Sequence, residues 1–455
     1  MLLLSMMLTF SCQYNRKTSI QESSVHDLPQ IKDSGKLVML TLYSSTSYFI
    51  YRGQEMGFQY ELGMDLAKSL GLSLQVKIAR SNQELVQLLK EGKGDFIGYN
   101  LPINRQRKKE IDFCNSTTVT HQVIVQRNRR GPNYLTDVTQ LIGKDVYVKP
   151  GRYKQRLLNL NDELGGGIRI HCITNDSITQ EDLISQVSHG KINYTIADND
   201  VAQLNKTYFH NLYVKLQVSL DQRSAWAVRK ETPLLKKAID NWLQADEPIS
   251  AYKRSSKRYF EQSKALPYTL FLSIRDGKIS PYDSIFKKYA KTIDWDWRLL
   301  ASLAFTESNF DTTVVSWVGA EGLMQLLPST SKALGVPKGM EKNPEQSVKA
   351  ACKYISITNK NLQKIADKKE RINFILAAYN AGLGHIYDAM ALASKYKKNP
   401  YIWNDNVAKY ILLKSDPAYF TDSVCRYGYM RGIETFTFVK EIQRRYQIYQ
   451  SKIKR

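Results

Sequence analysis

Cysteine is scarce in this chain: five in 455 residues, at positions 12, 114, 172, 352 and 425. None sits at metal-ligand spacing from another, so no structural metal site is expected, and nothing else in the chain calls for a cofactor. The sequence alone does not pair Cys352 with Cys425; Cys352 follows Ala350-Ala351 on a helical stretch and reads as a small core residue. Acidic residues are the minority, 43 against 65 lysines and arginines, which leaves a net charge of +22. Such a field favours polyanionic partners: nucleic acid, anionic lipid or acidic wall polymer. The chain lacks any zinc knuckle, nucleic-acid module or aromatic-basic repeat, so nucleic acid is not the expected partner. Gly165-Gly166-Gly167 is not followed by Lys-Ser/Thr and reads as a turn rather than a phosphate loop. The apolar N-terminal run, Met1 to Phe10, falls short of the about 20 residues that span a bilayer.

What is present indicates a folded, multidomain protein. The length implies about two or three domains, and 43% hydrophobic with 11% aromatic residues excludes a disordered chain. From Gly35 short apolar strands alternate with amphipathic helices. Leu37–Leu42, Leu74–Ile78 and Asp95–Tyr99 read as strands, with helices from Gly63 and over Asn82 to Gly92, where Asn82 is the expected cap. A second unit follows, with strands at Lys144–Val148, Ile168–Ile173 and Tyr194–Asp198 and a helix over Thr179–Gly190. This alternation predicts a parallel α/β sheet.

Three segments then carry a resemblance: Gly57-Phe-Gln-Tyr-Glu61-Leu62-Gly63-Met-Asp65-Leu66-Ala67, Gly92-Lys-Gly-Asp95, and Arg107-Lys-Lys-Glu-Ile111-Asp112-Phe113. Residues 35–262 resemble the family-3 extracellular solute-binding proteins. That resemblance implies a two-lobed, periplasmic-binding-protein-like α/β domain closing on an amino acid or small polar ligand. It implies Arg107 as the grip on a ligand carboxylate, for which a bidentate guanidinium is suited, and Asp198 as the partner of its amino group. Arg105, Lys108 and Lys109 crowd Arg107, so a solvated basic turn is the other reading.

Over residues 270–455 helical periodicity replaces alternation. Ser284–Ala290, Trp297–Ser308, Glu345–Asn361, Arg371–Tyr379 and Tyr401–Leu413 read as amphipathic helices, without a strand pair. The chain is expected to leave the first domain between Asp246 and Lys264, through a short linker. Glu307 lies four and seven residues after Leu303 and Leu300, and burial beside apolar side chains raises a carboxyl's pKa until it can protonate a leaving oxygen. Around it come Ser316, Trp317, a glycine-rich bend (Gly319, Gly322) ending in Met324-Gln325, and then Tyr379-Asn380. Glycines permit the bend, amides address hydroxyl and acetamido groups, and Trp317 offers a ring for a sugar to stack on.

Glu307-Ser308, Gly322-Leu323-Met324-Gln325 and Ala378-Tyr379-Asn380-Ala381-Gly382 resemble the transglycosylase SLT family, an all-α lysozyme-like domain. The resemblance implies Glu307 as sole acid/base, Ser316 as a muramoyl-positioning serine, Met324 and Gln325 along the cleft, and Tyr379 and Asn380 as its second wall. Glu307 would protonate the bond between N-acetylmuramic acid and N-acetylglucosamine. It would then take the proton from the muramic C6 hydroxyl as that oxygen attacks C1, giving a 1,6-anhydro end. An intramolecular nucleophile of this kind needs no second carboxylate. Tyr427 to Thr435 fits the family too, but Phe438 stands where the family often has a tyrosine. Asp311 and Glu321 are the nearest spare carboxylates; Asp311 reads as a loop or capping residue, and only a goose-lysozyme-like hydrolase would need it.

Residues 1–12 resemble a bacterial lipoprotein signal, an apolar run ending in Ser11-Cys12. Cys12 is then the acylated residue and residues 13–34 a polar tether, placing the protein in the cell envelope at the periplasmic face of the outer membrane. The expected partners are peptidoglycan strands, wall peptides or amino acids at the first domain, and the membrane through its lipid. A peptidoglycan-holding sensor without catalysis, or a hydrolytic muramidase, are the alternatives.

Overall fold

The computed structural model describes residues 26–174, 178–261 and 277–453; Cys12 and the signal expected over residues 1–12 lie outside them. The first domain contains strands β1 (Lys36–Leu42), β2 (Phe49–Tyr51), β3 (Gln54–Met56), β4 (Ser73–Ala79), β5 (Phe96–Pro102), β6 (Asp112–Thr120), β7 (Gln122–Arg127), β8 (Asp145–Val148), β9 (Arg169–Cys172), β10 (Tyr194–Asp198), β11 (Leu212–Gln217) and β12 (Gln222–Val228). They form two five-stranded sheets, ordered β4-β1-β5-β12-β6 and β11-β7-β10-β8-β9, and a separate β2-β3 hairpin. Each sheet is the core of one lobe. The chain crosses between lobes from β6 to β7 and returns from β11 to β12, so the hinge is two extended crossings.

The sheets are mixed rather than parallel. β1 pairs in parallel with β4 and β5, and β8 with β9 and β10, as the alternation predicts; the crossing strands β7 and β12 run antiparallel to their neighbours. A strand entering from the other lobe is not bound by the right-handed crossover that makes a helix-linked strand parallel.

Three local expectations are corrected. The helix after β4 begins at Asn82 but is capped by Ser81, whose hydroxyl accepts from the Glu84 amide at 3.1 Å. Residues 28–34 are not tether but a helix, Leu28–Ser34, capped by Asp27, whose carboxylate also accepts from the Leu234 and Leu235 amides at 3.0 and 2.9 Å. The segment expected to leave the first domain forms a helix, Asp246–Phe260, that packs back on it. There Tyr259 is buried, accepts from the Gly57 amide and donates to Glu61.

Among its described residues the second domain is helical, with isolated bridges at Val315, Glu321 and Leu326. Helix Trp297–Ser308 runs through its centre and is buried along nearly its whole length. It starts at Asp296, whose carboxylate accepts from the Arg298 amide at 2.9 Å, and stops at Asn309, in the left-handed region at φ 53°. Around it pack Pro344–Asn361, Lys368–Ala381, Leu383–Lys395 and the C-terminal helix Gly432–Lys452. The helix expected over Tyr401–Leu413 is broken: Asn404 and Asp405 leave helical geometry, and regular α-helix resumes at Ala408. Cys114, Cys172, Cys352 and Cys425 are free thiols, Cys352 buried in the helical core. No helix among the described residues is long and apolar enough to cross a membrane.

Candidate active site

Glu307 occupies the last turn of the central helix, and its side chain is 5% exposed. Burial pushes its carboxyl up, with Glu434 adding to the rise, while Arg52 pulls the other way without cancelling it. The loop after the helix reverses at Gly319 and Gly322 (φ 79° and 74°), and a Cβ on Gly322 would lie 2.4 Å from the Glu341 carbonyl, so only glycine fits. Ser316 closes this loop by accepting from the Ala320 amide at 2.9 Å. Gln325, at φ 48°, turns its amide into the bend, donating to the Val314 and Gly322 carbonyls at 3.0 and 2.9 Å. Met324 is fully buried, and its carbonyl accepts from the Tyr379 hydroxyl at 2.7 Å. Asn380 Oδ1 accepts from the Thr435 hydroxyl at 2.7 Å. The structure thus brings Glu307, Met324, Gln325, Tyr379 and Asn380 to one wall, with Ser316 shaping its adjoining loop.

The cleft is filled by another part of the same chain. The β2-β3 hairpin of the first domain reaches in, and its two-residue turn, Arg52-Gly53, has both φ positive (51° and 77°), the primed geometry of tight hairpins. The Arg52 guanidinium donates to both Glu307 oxygens at 3.1 Å and to the Gln325 carbonyl at 2.6 Å; its amide donates to the Ala381 carbonyl at 3.1 Å. Gly382 permits the approach, since its absent Cβ would stand 3.0 Å from the Gly53 nitrogen. Tyr51 donates to Glu434 at 3.1 Å, and His385 Nε2 meets the Ile50 carbonyl at 2.7 Å. Burial beside Lys414 drives the His385 pKa down to about 3, so the ring is neutral and donates. Burial likewise raises the Glu434 carboxyl, against the pull of Arg431, Tyr51, Arg52 and Asn380. Trp317, expected to stack on sugar, packs instead between Tyr51 and Tyr259, centroids 6.1 and 5.6 Å away.

The second lobe also grips the helical domain. Tyr429 donates to Glu181 at 2.7 Å, and Arg431 donates to Asn205 at 2.8 Å while its guanidinium lies 3.8 Å over the Tyr208 ring. Between the lobes is a cleft of about 700 Å³, lined by Tyr99, His121, Arg152, Asp198, Asp200 and Arg223 among others. Asp198 is ion-paired with Arg152. Burial, then the Asp198 charge, pushes the Asp200 carboxyl up to about 6.

The model for the transglycosylase SLT domain matches residues 284–402, and that for bacterial extracellular solute-binding proteins, family 3, matches residues 38–262. The chain is 32% identical over 428 residues to a membrane-bound lytic murein transglycosylase F of Pseudomonas fluorescens, covering 92% of this chain and 86% of that protein. A protein of the same name from Desulfosudis oleivorans is 29% identical over 433 residues, 94% and 93% of the two chains. The chain belongs to the membrane-bound lytic murein transglycosylase F family. Among solved structures, an ancestral cationic amino acid solute-binding protein matches with TM-score 0.44 and 22% identity, over 51% of this chain and 99% of that one.

Set within the transglycosylase F family, the two expected solute-site residues part company. Asp198 lines the interlobe cleft, whereas Arg107 lies in the short helix Arg105–Glu110 with its guanidinium donating to the Pro102 carbonyl at 2.6 Å, outside the lining residues. Arg152, which sequence reading passed over, is the cation at Asp198. Phe438 is buried in the helical core, so its ring serves packing. Asp311 is a loop residue, holding the Thr313 amide and hydroxyl at 2.8 and 2.7 Å; the spare carboxylate near Glu307 is Glu434 instead. Arg52 had one local signal: an Arg-Gly pair between Phe49-Ile-Tyr51 and Gln54-Glu-Met56, a two-residue hairpin turn.

Proposed function

We propose that this chain is a peptidoglycan lytic transglycosylase, cleaving the MurNAc-GlcNAc bond with formation of 1,6-anhydro-MurNAc, and that its solute-binding domain governs access to the cleft. The observation carrying the first part is the buried, pKa-raised carboxyl of Glu307 on the same wall as Gln325, Tyr379 and Asn380. Once Arg52 withdraws, Glu307 loses the cation that opposes its protonation. It then holds a proton for the glycosidic oxygen and serves as base for the C6 hydroxyl. The positive charge that develops on the ring is met by the Glu307 carboxylate, ionised once it has given up its proton, and the attacking hydroxyl is already part of the substrate.

The second part rests on the hairpin. With Arg52 seated, no glycan reaches Glu307; a ligand in the cleft lined by Asp198, Asp200 and Arg152 would move the lobes and draw the hairpin out. Wall peptides and amino acids, which carry ammonium and carboxylate together, fit that mixed charge, and Arg107 remains the family's carboxylate grip in a closed cleft. Acylation at Cys12 would hold the enzyme at the periplasmic face of the outer membrane, beside its substrate.

Digestion of purified sacculi followed by product mass measurement tests the activity. Ends lighter by one water support the lyase; reducing ends would instead mean a muramidase, and no release at all would mean a wall-holding sensor.

A further inference from the structure

We propose that the helical domain carries a second groove, remote from Glu307, that holds a strand of N-acetylated glycan bearing peptide carboxylates; this rests on the peptidoglycan reading above. A cavity of about 860 Å³ opens between the start of helix Lys368–Ala381, the irregular turn at Trp403-Asn404 and the outer face of the C-terminal helix. It runs away from the active site along the elements that build it, from Phe436, next to the Thr435 that holds Asn380, to Gln450. Leu299 in its floor is eight residues before Glu307, about 12 Å along the central helix. Asn373 in its wall precedes Tyr379 by six residues, about 9 Å. Neither Glu307, Gln325, Tyr379 nor Asn380 lines it.

The lining has the chemistry of sugar recognition rather than of a protein interface. Gln443, Gln447 and Gln450 follow one another at spacings of four and three, so they share a face of the C-terminal helix. Gln443 donates to Asn373 across the groove at 2.8 Å, which sets that amide pair in place. Gln447 and Gln450 are exposed, and no hydrogen bond to either side-chain amide occurs among the described residues. Planar amides that donate and accept together match acetamido and hydroxyl groups. Phe436 and Tyr446 add half-buried rings on which a sugar's C–H face can rest. The buried centre of a protein interface is depleted of charged residues, whereas Lys369, Glu370, Lys440 and Arg444 all border this groove. Lys369 and Lys440 stand exposed at the rim, complementing the carboxylates of peptide stems.

Every lining residue belongs to the helical domain, so the groove stays open while the hairpin closes the catalytic cleft. An enzyme held shut by Arg52 would still have a hold on its polymer.

The test uses the full chain carrying Glu307→Gln, so that sacculi are bound and not consumed, with and without Lys440→Glu and Gln447→Glu. Co-sedimentation with purified sacculi should show affinity falling about tenfold in the groove variant, as expected for a lost hydrogen bond together with a reversed charge. An N-acetylglucosamine hexamer should compete with sacculi for the parent and have no effect on what binding the variant retains. With Glu307 restored, the groove variant should keep its melting temperature and its rate on short soluble glycan fragments. Unchanged sedimentation overturns the groove. Weakened sedimentation that the hexamer fails to compete overturns the glycan as its occupant. Should neither enzyme form anhydro ends while the sedimentation difference persists, the lyase reading falls and the groove stands.

Discussion

The Arg52–Glu307 contact is a buried ion pair, with side chains 11% and 5% exposed, and it joins residues 255 positions apart. Removing one partner of such a pair leaves a buried charge alone and costs about 3–5 kcal/mol. Arg52→Ala should therefore weaken the hairpin's seat and raise turnover of short soluble glycan fragments, followed by chromatography; an unchanged rate would mean that the hairpin does not limit access. Glu307→Gln should lower anhydro-product formation by about 10² to 10⁴, the range for a lost general acid. Asp200 gives a pH signature. Its carboxyl, raised to about 6, is more readily protonated folded than unfolded, so its stabilising contribution is complete below the ordinary 3.8 and lost as pH rises through about 6. Asp200→Asn should raise stability at pH 7 by on the order of 1–2 kcal/mol, after screening by cleft water, and the gain should fade at pH 3.8. A melting-temperature series across that range decides it. Glu307, Gln325, Tyr379 and Asn380 were readable because the short segments that hold them resemble those of a known family. Arg52 was not, because its meaning lies in a partner on another domain.

At the level of elements, strand Tyr194–Asp198 and helix Trp297–Ser308 form at the boundaries that their period-two and period-3.6 patterns imply. Helix Asp246–Phe260 reads as a linker because Lys253, Arg254, Lys257 and Arg258 mask its pattern, while Tyr252, Tyr259 and Phe260 mark a helical face that meets Phe58. The antiparallel crossing strands were missed for a different reason, since strand direction depends on which lobe a strand joins and not on its own residues. The segment before the C-terminal helix supplies a further test. Gly428, at φ 64°, lies against the Tyr43 ring of the first domain, and a Cβ there would stand 2.1 Å from its Cζ. Gly428→Ala adds both left-handed strain and a clash across the interface, without touching the Glu307 wall. It should raise turnover as Arg52→Ala does. The same rate as wild type would show that this contact does not help hold the domains shut.

For the whole molecule the controlling fact is that both lobes grip one helical domain. The first lobe reaches it through the hairpin, the second through Glu181, Asn205 and Tyr208 on Tyr429 and Arg431. The two crossings carry the chain between the lobes, and helix Asp246–Phe260, packed on the first lobe, meets the second where Gln203 donates to the Phe260 carbonyl at 3.1 Å. Bringing the lobes together on a ligand therefore strains one grip or the other. That coupling is invisible to sequence, where each domain has its own periodicity and nothing marks their mutual placement. Arg431 is the place to cut it: its guanidinium is buried between Glu181 and Tyr208, and it lies outside the interlobe cleft. Arg431→Ala should leave binding of a muropeptide mixture to the first domain within a few-fold, because no cleft residue changes. It should shrink the acceleration that the same mixture produces on soluble glycan fragments, because the second lobe no longer pulls on the helical domain. Coupling between two sites is reciprocal, so the variant should also lose any effect of bound glycan on muropeptide affinity, measurable by calorimetry. If acceleration survives at full size while Arg431 is absent, the second lobe's grip carries no signal, and control of the cleft must pass through the hairpin alone.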